Sequence, residues 1–314
     1  MRYIVTGGAG FIGSHIAEAL SGKHEIVVID DLSSGHCENL KGIDCEFVEG
    51  SITDLALLQE TFAGADGVFH QAAIASVPRS VEDPLATHAV NLTGTLNVLI
   101  AARDCGVRKV VMASSAAVYG ENPELPKREE MAPDLLSPYA AQKLSDEHYA
   151  AVFSKLYGLS TVCLRYFNVF GPRQDPSSPY SGVISIFGSR ILEGEPITIH
   201  GDGGQTRDFV YVRDVVQANL RAMASDAEGV FNIARGEQTD LNTLARTMMQ
   251  AAGKGVEIRY GPPRGGDIRH SLAEISRSRE VLGWRPEYAI QTGLAETMRW
   301  IEEETTSRKQ ISRA

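Results

Sequence analysis

The segment Thr6-Gly7-Gly8-Ala9-Gly10-Phe11-Ile12-Gly13 constrains this chain more than any other, because glycines 7, 10 and 13 permit a turn that side chains would block. It follows the apolar run Tyr3-Ile4-Val5 and precedes a helical pattern from Ser14 to Leu20, so it reads as strand, glycine turn and helix. The spacing G-x-x-G-x-x-G lets the backbone approach a pyrophosphate, and the helix N-terminus then faces that anion with unpaired N–H groups. Thirty glycines in 314 residues make such a pattern weak on its own. The next apolar run, Glu25-Ile26-Val27-Val28-Ile29-Asp30, strengthens it by ending on a carboxylate near the spacing expected for a group that hydrogen-bonds an adenosine ribose. Asp30 would repel a 2′-phosphate, which favours NAD over NADP.

Strand and helix patterns then alternate. Cys45 to Glu49, Gly67 to His70, Lys109 to Ala113 and Thr161 to Tyr166 read as strands. Helices are expected over Asp54 to Phe62, Pro84 to Cys105 and Pro138 to Tyr157, the last with Ser137 as N-cap. This order implies an α/β fold, a Rossmann-type doubly wound parallel sheet with ligands at the carboxyl ends of its strands. Past Gly171 a Pro- and Ser-rich loop, Pro172 to Gly182, leads to helix patterns at 183–192, 215–224, 241–252 and 290–303 and a polar, frayed end from Thr305. The expected division is an NAD-binding domain over 1–170 with a return segment near 208–232, and a smaller interleaved lobe over 171–207 and 233–314.

A net charge of −10 argues against a nucleic-acid surface, so phosphate binding should be local and made by a few arginines. No run reads as a membrane span or an export signal, and Cys37, Cys45, Cys105 and Cys163 lack metal or redox spacing. A cytoplasmic protein with no bound metal is expected.

Tyr139 and Lys143 lie four residues apart, on one face of a helix. A phenol is a poor base at neutral pH, but an adjacent cation favours its phenolate, and such a pair can take a proton from an alcohol while hydride leaves the carbon. Ser114 and Ser115 end the fifth strand, at the edge where a nicotinamide would lie. A hydroxyl there can bond the reacting alcohol and pass its proton to Tyr139.

The segments T-G-G-A-G-F-I-G, H-Q-A-A at 70–73, S-S-A-A-V-Y-G at 114–120, Y-A-A-Q-K at 139–143 and L-R-Y-F-N-V-F-G at 164–171 together resemble the extended short-chain dehydrogenase/reductases that act on nucleotide sugars. Within that family the chain is most similar to UDP-hexose 4-epimerases, in particular bacterial UDP-N-acetylglucosamine 4-epimerases. Ser76 to Ser80, Gly171 to Pro176 and Gly266 to Ala273 carry this narrower likeness. The resemblance implies that Tyr139 is the base and Ser115 the catalytic hydroxyl, with Ser114 as a supporting donor and Lys143 on the nicotinamide ribose. NAD would be tightly bound and regenerated each cycle. Gly7, Gly10, Phe11, Ile12 and Gly13 would hold its pyrophosphate side, and Asp30, Ser34, Gly35, Ser51 and Ile52 its adenosine. Gln71, Ala72, Ala73, Tyr139, Lys143, Tyr166 and Val169 would surround the rest. Many relatives have aspartate where Ser51 stands and lysine where Ala75 stands.

On the substrate side the resemblance implies roles for Ser76, Asn168, Gln174, Val183 and His200, for Arg207 and Arg264 on the diphosphate, and for Asp267 on the uridine ribose. Ser271 matches a position where a tyrosine closes the pocket in epimerases restricted to UDP-glucose and UDP-galactose, so serine would admit an N-acetyl group. The 4,6-dehydratases of the family carry Thr-Asp-Glu where this chain has Ser114-Ser115-Ala116, which counts against elimination. UDP-uronate epimerases place a cation after the Pro-rich loop, where this chain reads Val183-Ile184-Ser185-Ile186-Phe187, although Arg79 offers another charge. A UDP-uronic acid 4-epimerase and a non-catalytic NAD-binding regulator remain the alternatives. The family also pairs as homodimers through a four-helix bundle, here the helices at 84–105 and 138–157.

Overall fold

The computed structural model describes residues 1–175, 182–263 and 268–311. Its central sheet begins with β1 (Arg2–Thr6), β2 (Glu25–Asp30), β3 (Glu46–Glu49), β4 (Gly67–His70), β5 (Lys109–Ser115) and β6 (Ser160–Tyr166). The strand Gly229–Ile233 completes it, in the order β3-β2-β1-β4-β5-β6-(229–233). Every pairing is parallel. Alternate side chains along each strand enter opposite apolar layers: Val5, Val28, Phe69 and Val111 on one face, Ile4, Val27, Val68 and Val110 on the other. Burial on both faces explains why these strands read as unbroken apolar runs rather than as alternating ones. Each such side chain contributes about 1.5–3 kcal/mol.

The first layer packs on α1 (Phe11–Leu20) and the helix Val212–Ala224, the second on α2 (Leu55–Thr61), α5 (Thr95–Asp104) and α6 (Pro138–Tyr157). Strand order reverses between β1 and β4, and the register sets Thr6 opposite both Ile29 and His70. The glycine turn, Asp30, Gln71 and Ser114-Ser115 therefore follow strand ends along one edge, where a crevice opens.

The expected helix 84–105 is present in altered form. It runs as α4 (Pro84–His88), a π-helical segment Ala89–Gly94 and then α5, and it is preceded by a short helix, α3 (Val77–Glu82), which the sequence reading lacked. Its length and apolarity also correct the expectation that no run approaches a membrane span: Pro84–Asp104 reaches a mean hydropathy of 1.3 in its most apolar window. Val98, Leu99, Ala101 and Ala102 are fully buried, so the apolarity serves the core. The final helix, Ile290–Ile311, continues through the stretch expected to fray.

Beyond β6, Asn168–Phe170 pairs with Phe209–Tyr211, Ile197–His200 with Ile258–Gly261, and Thr206–Arg207 with Thr239–Asp240. Phe187, Ile191, Tyr211, Leu244, Met248, Leu294 and Met298 form a further core among these strands and the helices Val183–Glu193, Leu241–Ala252 and Ile290–Ile311. Phe11 and Ile12 of α1 pack against it, which sets it beside the glycine turn.

Candidate active site

The glycine turn has the shape that its sequence requires. Gly7 adopts φ +68°, and a Cβ there would stand 2.6 Å from the Ala72 nitrogen. A Cβ on Gly13 would stand 2.2 Å from the Gly7 oxygen, so only glycine allows α1 to start this close to β1. Gly10 caps α1 without a side-chain hydrogen bond, leaving the first-turn N–H groups for an anion. These features fit the pyrophosphate of NAD.

Asp30 does more than was expected of it: Oδ2 accepts from Ala9 N at 2.9 Å and Oδ1 from Leu32 N at 2.9 Å, so its carboxylate pins the turn from beneath. Burial raises its pKa. Gly35 approaches within 2.8 Å of the same carboxylate, measured from the place of its absent Cβ. Ser34 lies beside Gly35 on the exposed loop after β2. Ser51 is half-buried and its Oγ accepts from Thr53 Oγ1 at 3.0 Å, while Ile52 is buried against the second layer. Gln71, Tyr166 and Asn219 bond one another below the crevice, with Asn219 Nδ2 donating to Tyr166 Oη at 2.8 Å. Ala72 and Ala73 continue from Gln71 along the edge, and Ala72 N meets Thr6 Oγ1 at 3.5 Å. Val169 packs between the first layer and the core beyond it.

Ser137 caps α6 by accepting from Ala140 N at 3.1 Å, and Tyr139 N donates to Ser80 Oγ at 3.1 Å, tying the helix start to α3. Tyr139 and Lys143 then follow one turn apart. The Lys143 ammonium is buried and donates to the Ala113 carbonyl of β5 at 3.0 Å, directly before the two serines. Ser115 Oγ accepts from Ala117 N at 3.1 Å, which leaves its proton to give. Ser114 departs from its expected part as a supporting donor. Its hydroxyl donates to Glu147 Oε1 at 2.5 Å inside the protein, so its one proton is already used.

Glu147 belongs to a buried network that the sequence did not reveal. Arg165 donates to it twice, Nε to Oε1 at 2.8 Å and Nη2 to Oε2 at 2.7 Å, and Nη1 donates to Tyr119 Oη at 2.9 Å. Tyr119 passes its proton to Asn232 Oδ1 at 2.6 Å. A second buried chain joins Thr6 Oγ1 to His70 Nδ1 at 2.7 Å and His70 Nε2 to Thr95 Oγ1 at 2.9 Å. Burial, helped by the nearby Lys143 charge, lowers the His70 pKa to about 3, so the ring is neutral.

Thr206, the neighbour of the expected substrate residue Arg207, donates from its nitrogen to Arg269 O at 3.0 Å and accepts at its carbonyl from Ser271 N at 3.1 Å. This sets Ser271 beside Arg207. Asp208, buried completely, accepts from Arg235 N, Gly236 N and Ala273 N, and so fastens both strands. Asn168 donates from N and Nδ2 to the Asp208 carbonyl at 3.1 and 3.3 Å. Gln174 donates to Val169 O and accepts from Ser185 Oγ, next to Val183 at the start of its helix. His200 lines a cavity of about 450 Å³ with Asp202, Gln205 and Arg269. Ser76 caps α3 by accepting from Arg79 N at 3.1 Å and is buried there. Arg264 and Asp267 lie outside the described residues. No cluster of metal ligands occurs among the described residues.

A family model described as NAD dependent epimerase/dehydratase family matches residues 3–234. The chain is 43% identical over 307 residues to a UDP-glucose 4-epimerase of Mycolicibacterium smegmatis, covering 95% of this chain and 97% of the relative. Its fold matches a UDP-N-acetylglucosamine 4-epimerase from Methanobrevibacter ruminantium, solved with UDP-N-acetylmuramic acid, at a TM-score of 0.94 and 43% identity over 96% of this chain and 98% of that one. A Thermus thermophilus UDP-glucose 4-epimerase in complex with NAD matches at a TM-score of 0.88 and 42% identity, over 96% and 99%.

Proposed function

The chain belongs to the NAD-dependent epimerase/dehydratase family, and from that membership we propose that it is a UDP-sugar 4-epimerase acting on UDP-GlcNAc and UDP-GalNAc, and on UDP-Glc and UDP-Gal. The observation that carries this reading is the Lys143 ammonium held at the Ala113 carbonyl, between Tyr139 on its own helix face and the serine pair that ends β5. Gly7, Gly10, Gly13 and Asp30 would hold NAD, which would supply the acceptor and donor of the hydride.

Tyr139 takes the proton of the sugar 4-hydroxyl as C4 becomes a ketone, and returns it after the sugar has turned over. Ser115 donates a hydrogen bond to the same oxygen and keeps its proton. Ser114, its own proton bound to Glu147, can only accept. Arg207 and Arg264 suit the diphosphate because a guanidinium donates bidentately. The sugar lobe of this reading comprises 171–207 and 233–314. Ser271, next to Arg207 in register, leaves room for an N-acetyl group where a tyrosine would fill it.

The protein is proposed to work as a cytoplasmic homodimer, in keeping with four free cysteines. The dimer would form as a four-helix bundle of the helices at 84–105 and 138–157, on which Leu85, Val152 and Leu156 are 81%, 46% and 66% exposed.

Purified protein given UDP-GalNAc or UDP-Gal, with no added cofactor, should convert both to their 4-epimers by anion-exchange chromatography. Tyr139→Phe should abolish both conversions while NAD stays bound. Ser271→Tyr should suppress the N-acetyl sugar and spare UDP-Gal; equal loss on both would remove Ser271 as the gate. Failure of either neutral sugar to react, with turnover of an acidic one, would put the uronate reading first.

A further inference from the structure

Lys143 has a second partner that the reaction as described does not use. Asp146, one turn further along α6, places Oδ2 3.4 Å from the Lys143 Nζ. The two residues are 1% and 2% exposed, so the pair sits in the protein's interior, beneath the crevice. Apart from Lys143, the Thr95 hydroxyl is the side chain that bonds the carboxylate, and it is shared with Asn91 O at 2.5 Å; the Asp146 Oδ1 finds no hydrogen-bond partner among the described residues. An uncompensated buried carboxylate is costly, and Lys143 is the cation beside it.

We propose that Asp146 is a positioning residue for the reaction: it draws the Lys143 ammonium toward the floor of the site and partly cancels the positive charge that this ammonium presents to Tyr139. The inference rests on the assignment of Tyr139 as the base.

The charges that face Asp146 can be named from each packed element. Lys143 and Glu147 lie on its own helix, and Glu147 is itself committed to Arg165 of β6 and to Ser114 of β5. From β6, Cys163 feels the Asp146 charge and its thiol is pushed well up by burial, so it is neutral. Neutral His70 of β4 stands behind Thr95. Lys143 is therefore the group through which Asp146 reaches the crevice. Burial lifts the Asp146 carboxyl to about 6, so it is ionised above that pH.

Removing this negative charge should make the Tyr139 phenolate easier to form. Two helical turns separate residues 139 and 146, about 10.5 Å, and unit charges at that distance in an effective dielectric of about 20 displace a titration by about one pH unit. The test is carried out on the full chain labelled with [13Cζ]tyrosine, in which the Tyr139 resonance is identified by its loss in Tyr139→Phe. Its titration is followed by NMR with and without NAD, in the parent protein and in Asp146→Asn and Asp146→Ser. The phenol should titrate about one unit lower in both variants, and the acid limb of the epimerisation rate should move the same way.

A displacement below about 0.2 unit, or one upward, overturns the proposal, whatever happens to the overall rate. A role limited to packing would change melting temperature and leave the titration in place. If Asp146→Asn does not fold, the smaller Asp146→Ser carries the comparison. Activity surviving in Tyr139→Phe would instead refute the base assignment, and the tyrosine titration would still report on Asp146.

Discussion

His70 offers a measurement in which protonation and folding are tied together by geometry. The ring is fully buried and bonded on both nitrogens, to Thr6 and to Thr95, and burial holds its pKa at about 3. In the unfolded chain the same ring titrates near 6.5. Between those values the unfolded state binds a proton that the folded state refuses, so the stability that His70 confers is complete above about pH 7 and is lost as pH falls through 6.5. At pH 5 the loss is about 1.5 units times 1.36 kcal/mol, or about 2 kcal/mol.

Buried Asp146, Asp208 and Asp214 act in the opposite sense. Burial raises each to about 6, so they gain protons in the folded state first and add stability as pH falls from 6 toward 4. The wild-type curve alone therefore mixes both effects. Comparison with His70→Gln, which keeps an acceptor and a donor, cancels the aspartates. Equilibrium urea unfolding followed by circular dichroism at pH 7.5 and pH 5.0 should show the wild type losing about 2 kcal/mol relative to the variant. An unchanged difference between the two proteins at both pH values would mean that the folded state accepts the proton, and would refute the reasoning.

Two further outcomes follow from buried geometry. Glu147→Gln leaves the Arg165 guanidinium without its carboxylate in the interior and should cost about 3–5 kcal/mol in urea unfolding; a loss under 1 kcal/mol would show that the pair is hydrated. Gly13→Ala places a methyl 2.2 Å from the Gly7 oxygen, so the protein should purify without NAD, as measured by cofactor released on denaturation. Full cofactor occupancy in this variant would refute the close approach of α1 to β1.

The parts of this molecule that could be read in advance are those whose reasons are local. β2 and β4 form over the residues expected, because apolar runs between turn signals suit a sheet buried on both faces. α6 starts and stops at Ser137 and Gly158 for reasons of capping alone, the glycine taking φ +70°. The Tyr139–Lys143 spacing is likewise local. What the sequence hid are pairings made only by topology. Glu147 reads as a solvated helix residue until β6 brings Arg165 beneath it, and Asp146 is indistinguishable from it in pattern. Ser114 and Ser115 look equivalent as neighbours, yet the alternation of a strand sends one hydroxyl to Glu147 and leaves the other at the edge. The short helix α3 has only six residues, too few to show a periodicity, and rests on the cap that Ser76 supplies.

The π-helical segment Ala89–Gly94 makes the length of one helix a counted quantity. Within it, Asn91 bonds both the N–H and the carbonyl of Ile74 and also Gln142, while the next turn presents Thr95 to His70. A π turn holds one more residue than an α turn. Deleting a single residue there would restore an unbroken α-helix: the wide turn absorbs one residue within a single turn, so α4 and α5 would keep their relative placement and the change would fall on the turn itself. Asn91, inside that turn, could then no longer meet Ile74 and Gln142 together, while Thr95 in α5 would stay on His70. Surface loops elsewhere in the chain can gain or lose a residue at little cost; this helix, although it looks like the most regular stretch of the sequence, carries one link of slack, and that slack is taken up where Asn91 ties the crevice edge to α6.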